Sequence, residues 1–218
     1  MAVHDQGKIM NNVKTGAIVG FVALLAITVM AFINDGTQGF PSAIFFNLTS
    51  LQIWVDLVIA IVFWCAWLVQ DAKSHGRNPW PWIVAALIVG CFAPLLYAIV
   101  YSRWMASPVN ISAPAQTGMR RGLGIAVLGL FTVLTVAALM TDGTDVPAVV
   151  TRSWSNFQIW FDLVIAIVFW LGWMIQDARA QGRSPWGWVV FALVLGSFAP
   201  LVYLVAYGRW PASHPTAA

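Results

Sequence analysis

The sequence predicts an all-α polytopic membrane protein, with six transmembrane helices arranged as two inverted three-helix repeats. Three observations predict it. The 218-residue chain is 60% hydrophobic and only 9% charged, whereas soluble domains are about a quarter charged. Its apolar runs are close to the roughly 20 residues that a helix needs to cross a bilayer. The stretch 52–104 recurs as 158–210 without a gap, with about 60% of positions identical, and such self-similarity fixes an architecture before any motif does.

In chain order, the polar segment 1–12 leads through Lys8 and Lys14 into a helix expected over 15–33. This apolar run is long enough to remain as an anchor rather than a cleaved signal. Gly16 and Gly20 form a small-xxx-small pair that allows close helix approach. Asp35-Gly36-Thr37 marks a turn, and 40–50 is an uncharged loop or interfacial segment. Asn47-Leu-Thr49 and Asn110-Ile-Ser112 match a glycosylation acceptor by pattern alone. A second helix is expected over 51–70, where Asp56, Ala60, Phe63, Trp67 and Gln70 recur at helical spacing and define one face. Asp71, at its end, reads as part of an exposed ion-pair turn with Lys73 and Arg77. Asn78 and Pro79 start a third helix, expected over 79–101. The second half repeats the pattern, with helices over 122–140, 157–176 and 185–207 and with Asp177, Arg179 and Arg183 in the matching turn. The repeats are therefore 1–107 and 108–218, joined by a linker over 105–121.

Three crossings per repeat place the halves in opposite orientations, an arrangement common in transporters. On this reading Lys8, Lys14, Lys73, Arg77, Arg152 and Arg209 share one side and Arg103, Arg120, Arg121, Arg179 and Arg183 the other. Basic residues favour the cytoplasmic side, and this near-balance gives a slight preference for a cytoplasmic N-terminus in the cell membrane. The positive charges form no cluster that would suggest a nucleic-acid partner.

Pro94 and Pro200 fall near the middle of the third and sixth helices. Proline lacks an amide donor and displaces the carbonyl four residues back, here that of Gly90 or Gly196. A kink with a freed backbone carbonyl is expected in each, beside the hydroxyls of Tyr97 and Tyr203. Packing alone also accounts for such kinks, since Gly and Pro are common in membrane helices. Asp56 and Asp162 are the acids placed inside helices, where a carboxylate is costly and points to function; the alternative is a hydrogen-bonded anchor near the interface. Twelve of the thirteen Trp residues pair between the repeats, most near predicted boundaries, as in aromatic belts.

No lysine lies in a helix interior, which excludes a retinal Schiff base. His4, His75 and His214 sit in polar segments, which argues against intramembrane haem. Cys65 and Cys91, replaced by Leu171 and Ser197 in the second copy, are expected about 10 Å apart in depth and so reduced. No nucleophile motif or phosphate-binding loop is present, so an enzymatic role is not indicated.

The units Asp-Leu, Trp-x-x-Gln-Asp-Ala-(Lys/Arg)-x-x-Gly and Gly-x-Phe-Ala-Pro-Leu-x-Tyr occur once in each half. They resemble a family of small bacterial membrane proteins of unassigned function, duplicated here within one chain. More distantly they are similar to the neoxanthin-synthase-like family, which implies a role in isoprenoid or carotenoid chemistry. The function expected first is a small-solute or ion carrier or channel. Its site would comprise Asp56, Asp162, Gly90, Pro94, Tyr97, Gly196, Pro200 and Tyr203. The alternatives are a structural or lipid- or pigment-binding subunit of a larger membrane complex or homo-oligomer, and an isoprenoid-modifying protein with a lipid or carotenoid as ligand.

Overall fold

The computed structural model describes residues 2–101 and 118–207. Each half contains the same five helices in the same order. In the first, these are α1 (Ala2–Asp35), α2 (Gly39–Ile44), α3 (Leu48–Ser74), α4 (Trp80–Val89) and α5 (Phe92–Tyr101). In the second, they are α6 (Gly118–Asp142), α7 (Val146–Val150), α8 (Trp154–Ala180), α9 (Trp186–Leu195) and α10 (Phe198–Tyr207). The described residues contain no strand. Most of the 105–121 linker, the Asn110 acceptor pattern, Arg103, Trp104, Arg209, Trp210 and His214 lie outside the described residues, as do the side chains of Lys8, Arg120 and Arg121.

The helix starts explain how the halves meet. Asn47, in an extended conformation, caps α3 by accepting from the Ser50 N–H at 2.8 Å. Ser153 does the same for α8, accepting from the Asn156 N–H at 3.1 Å. A second cap comes from the other half in each case. Asp35, ending α1, accepts from the backbone N–H and hydroxyl of Ser155 at 2.6 and 2.7 Å. Asp142, ending α6, accepts from the Thr49 N–H at 2.7 Å. A carboxylate suits this position because a helix N-terminus carries unpaired N–H groups and partial positive charge. The Asn156 amide also donates to the Ser50 hydroxyl at 3.4 Å. The ends of α1 and α6 and the starts of α3 and α8 therefore share one end of the bundle. The two halves point the same way.

This corrects the inverted arrangement, and the third helix of each half shows why. The segment expected to cross as one helix is two ten-residue helices that fold back on each other. Trp82, near the start of α4, packs edge-on against Tyr101, at the end of α5, with ring centroids 5.8 Å apart. In a continuous helix those residues would be separated by about 28 Å. Trp188 and Tyr207 repeat the contact at 5.7 Å. The chain reverses at Gly90, with φ of 60°, and at Gly196, with φ of 55°. The expected free carbonyls are also occupied, because Gly90 and Gly196 accept from the Ala93 and Ala199 N–H groups. Pro94 and Pro200 fall in the first turns of α5 and α10, where a missing donor costs nothing. They start the return helices and bend none.

Among the described residues, four helices are long and apolar enough to cross a membrane: Lys14–Asp35, Leu48–Ser74, Gly122–Asp142 and Trp154–Ala180. The architecture is compatible with a multi-pass membrane protein. α3 and α8 pack together at the centre, with α1 against α5 and α8, and α6 against α10 and α3. Gly20 lets Leu95 of α5 approach α1, whereas Gly16, the other member of the expected pair, faces open space. Large apolar side chains cover the outside, with Ile88 76% and Leu130 74% exposed. Of the face read from α3, Asp56, Ala60, Phe63 and Trp67 are buried, whereas Gln70 at its end is half-buried. Trp80 and Trp186 are exposed at the hairpin openings, but Trp64, Trp67, Trp170 and Trp173 are core residues rather than belt residues.

Removing a helix cap costs about 1 kcal/mol. Asp142→Ala should therefore destabilise the purified protein by about that much. Asp35→Ala should cost more, because it strands two donors. Denaturant titration in detergent micelles measures both, and the order of the two effects checks the assignment.

Candidate functional site

α3 begins at Leu48, so Asp56 lies more than two turns inside it, beyond the reach of its own N-terminus. It is buried and faces the other half, as is Asp162 on α8. The Asp162 carboxylate Oδ1 accepts from the Cys91 N–H at 2.9 Å, and the Cys91 thiol donates to the Asp162 backbone carbonyl at 3.2 Å. Asp56 and Ser197 make the same pair of contacts at 2.8 and 3.1 Å. Each carboxylate therefore caps the return helix of the opposite hairpin, α5 or α10. The interfacial-anchor reading of these acids gives way to a contact between repeats.

The glycines at the tips follow from this contact. A Cβ on Gly90 would overlap the Asp162 carboxylate, and one on Gly196 would overlap that of Asp56. Their positive φ also favours glycine on conformational grounds. Sequence reasoning selected all four residues but paired Gly90 with Pro94 instead of with Asp162. The signal available was the joint recurrence of acid and glycine at one offset. Cys91 and Ser197, set aside as a packed thiol and its replacement, share one role as donors beside the tip.

Tyr97 and Tyr203 belong to a different cluster. Each hydroxyl donates to a buried carboxylate, Asp71 at 2.6 Å and Asp177 at 2.5 Å. Asp71 and Asp177 are fully buried, which corrects the exposed ion-pair turn. α3 and α8 run on to Ser74 and Ala180, so these acids sit inside the last turn and face the hairpin. Arg77 and Arg183 lie over the rings of Tyr101 and Tyr207, 3.9 and 3.8 Å from the centroids. Trp64, Trp67 and Trp82 pack edge-on around Tyr97, and Trp170, Trp173 and Trp188 around Tyr203. These clusters hold the open ends of the hairpins. They do not adjoin the acids at the tips.

Beyond the first hairpin tip is a cavity of 460 Å³, within the range that binds small molecules. Gly90 and Phe92 form its roof, and Asp162 and Gln158 of α8 line one wall. Phe32, Phe40 and Trp54 add aromatic surface. Of the eight residues expected at the site, Gly90 and Asp162 line this cavity. Asp56 and Gly196 form the equivalent contact in the other half. Pro94 and Pro200 pack in the return helices. A second cavity of 660 Å³ runs along α3, α6 and α10, apolar except for Gln70 and Lys73.

Comparison of the chain with family models, curated proteins and solved structures finds no match.

Gly90→Ala and Gly196→Ala should each destabilise the protein by about 1–3 kcal/mol from backbone strain alone, with displacement of the carboxylate added. Cys91→Ser and Ser197→Cys should stay within about 0.5 kcal/mol of the parent, since each residue already serves at the equivalent position. Unfolding midpoints in detergent measure all four.

Proposed function

We propose that the chain is a multi-pass membrane protein with four spans and two re-entrant hairpins, and that it carries a small solute through a site beyond the hairpin tip at Asp162. The observation that carries this reading is a buried carboxylate lining a cavity where a broken helix stops short inside the bundle. Irregular backbone at membrane depth is tolerated only where protein buries it or where it borders a cavity. Discontinuous helices mark the sites of many carriers, including those built from parallel repeats.

The end of the bundle holding the hairpin openings is proposed to face the cytoplasm. Among the described side chains, Lys14, Lys73, Arg77, Arg179 and Arg183 belong to that end and Arg152 to the other, where Asp35, Asp142 and Asp145 lie. Lys8, Arg103, Arg120, Arg121 and Arg209 are next in sequence to segments that start or finish at the basic end. Such an excess of Lys and Arg favours insertion with that side inward. The N-terminus would then be cytoplasmic in the cell membrane.

Proteoliposomes test the carrier reading through uptake of a panel of small labelled solutes. The protein should raise uptake of at least one solute above that of empty vesicles. The double substitution Asp56→Asn/Asp162→Asn should reduce it by about tenfold or more, as expected when a charge that binds or couples is removed. Uptake equal to that of empty vesicles, or unchanged by the substitutions, would refute the proposal.

The 660 Å³ apolar groove, with Lys73 at one end, favours a second reading, that of a lipid- or pigment-binding subunit. Retention of a stoichiometric apolar molecule through detergent exchange, without solute uptake, would support it.

A further inference from the structure

The cavity beneath the first hairpin contains an unmet hydrogen-bonding requirement. Gln158 lies one turn into α8, one turn before Asp162, on the same face of that helix, and both line the cavity. Gln158 is 8% exposed, and its Oε1 is buried without a hydrogen-bond partner. A buried acceptor left unpaired costs about 1–3 kcal/mol; Oε1 is closed off in this arrangement, so a donor in the cavity would recover that cost by drawing the amide round to present its oxygen. The Asp162 carboxylate has Oδ1 engaged by the Cys91 N–H, and no Lys or Arg side chain among the described residues lines the cavity.

Apart from Thr28, whose hydroxyl donates to the Leu24 carbonyl, the remaining wall is apolar and aromatic. Phe32, Phe40, Trp54 and Phe92 contribute ring surface, and Leu57, Ile61 and Ile159 contribute aliphatic surface. Aromatic faces attract cations, and the attraction is worth about 2 kcal/mol or more once water is excluded. A carboxylate in the same cavity repels anions. It also favours a charged donor over a neutral one, because charge-assisted hydrogen bonds are about twice as strong.

We propose that this cavity binds an organic ammonium with an apolar body, its N–H groups donating to Gln158 Oε1 and Asp162 and its body against the aromatic wall. The proposal rests on the carrier reading only for what becomes of the ligand; the binding site follows from the cavity itself. At 460 Å³ the space suits a one- or two-ring amine better than a long-chain lipid.

The test uses the full chain in lipid nanodiscs, titrated calorimetrically with 2-(1-naphthyl)ethylammonium and with the neutral alcohol of the same skeleton. The ammonium should bind at least tenfold more tightly than the alcohol. Gln158→Leu, which leaves the Asp162 cap in place, should weaken ammonium binding about fivefold or more while leaving the unfolding midpoint unchanged or raising it, because it removes an unpaired buried acceptor. Asp162→Asn, which retains an oxygen to accept from Cys91, should abolish the preference for charge. Equal binding of the two probes, no binding of either, or ammonium binding unchanged in Gln158→Leu would overturn the inference. Selective ammonium binding without solute uptake in proteoliposomes would leave the site standing and overturn the carrier reading alone.

Discussion

The structure depends on a carboxylate from one half meeting the first N–H of a return helix in the other. A chain that turns round inside an apolar bundle exposes unpaired backbone donors where the return helix begins. In hydrocarbon each such donor costs several kcal/mol. Pro94 and Pro200 eliminate one donor apiece, and Asp162 and Asp56 satisfy the Cys91 and Ser197 N–H groups. The positive end of each return helix in turn offsets part of the cost of a buried carboxylate. Neither the hairpin nor the acid is readily accommodated without the other, and because the contact crosses between halves, each half requires its partner. Packing of apolar surfaces alone would not impose this, since lipid is as apolar as the helices it surrounds.

The same exchange occurs at the far end, where Asp35 and Asp142 cap the starts of α8 and α3. Four carboxylates therefore bridge the halves at two depths. The hairpin openings are held within each half by Tyr97 on Asp71 and Tyr203 on Asp177. A hairpin with arms of ten residues reaches only about 15 Å into the bundle. The space between its tip and the acidic end has to be filled by something else. Beneath Gly90 it remains a cavity, and the acid that supports the tip is also the acid that lines it. A substitution at Asp162 thus alters the support of the tip together with the cavity wall, whereas Gln158 lines the cavity without capping a helix.

Much of this was legible in the sequence. Hydropathy located the helices, the 106-residue offset between Asp56 and Asp162 exposed the duplication, and the cost of an intramembrane acid identified both carboxylates. Gly90 and Pro94 located the interruption. The direction taken after the interruption was not legible, because 23 residues over 79–101 are enough either to cross a bilayer or to enter and return. Proline suggested a kink, whereas φ of 60° at Gly90 is a reversal that no pattern specified. The discriminating signal was charge. Three crossings per half divide the basic residues almost evenly between the two sides, whereas with hairpins the basic side chains among the described residues, Arg152 apart, gather at one end. Asp71 was misplaced for a related reason, since an acid near a helix end looks solvated until the hairpin that covers it is known.

The central claim is that both hairpins return to the end from which they entered, so that the two halves insert the same way round. Side-specific labelling of single epitope tags, at the N-terminus, after residue 110 and at the C-terminus, tests it most directly in intact and permeabilised cells. The account predicts that all three tags become accessible only on permeabilisation. A tag after residue 110 exposed on the face opposite the two termini would mean that α4 and α5 cross as one helix, and would contradict it.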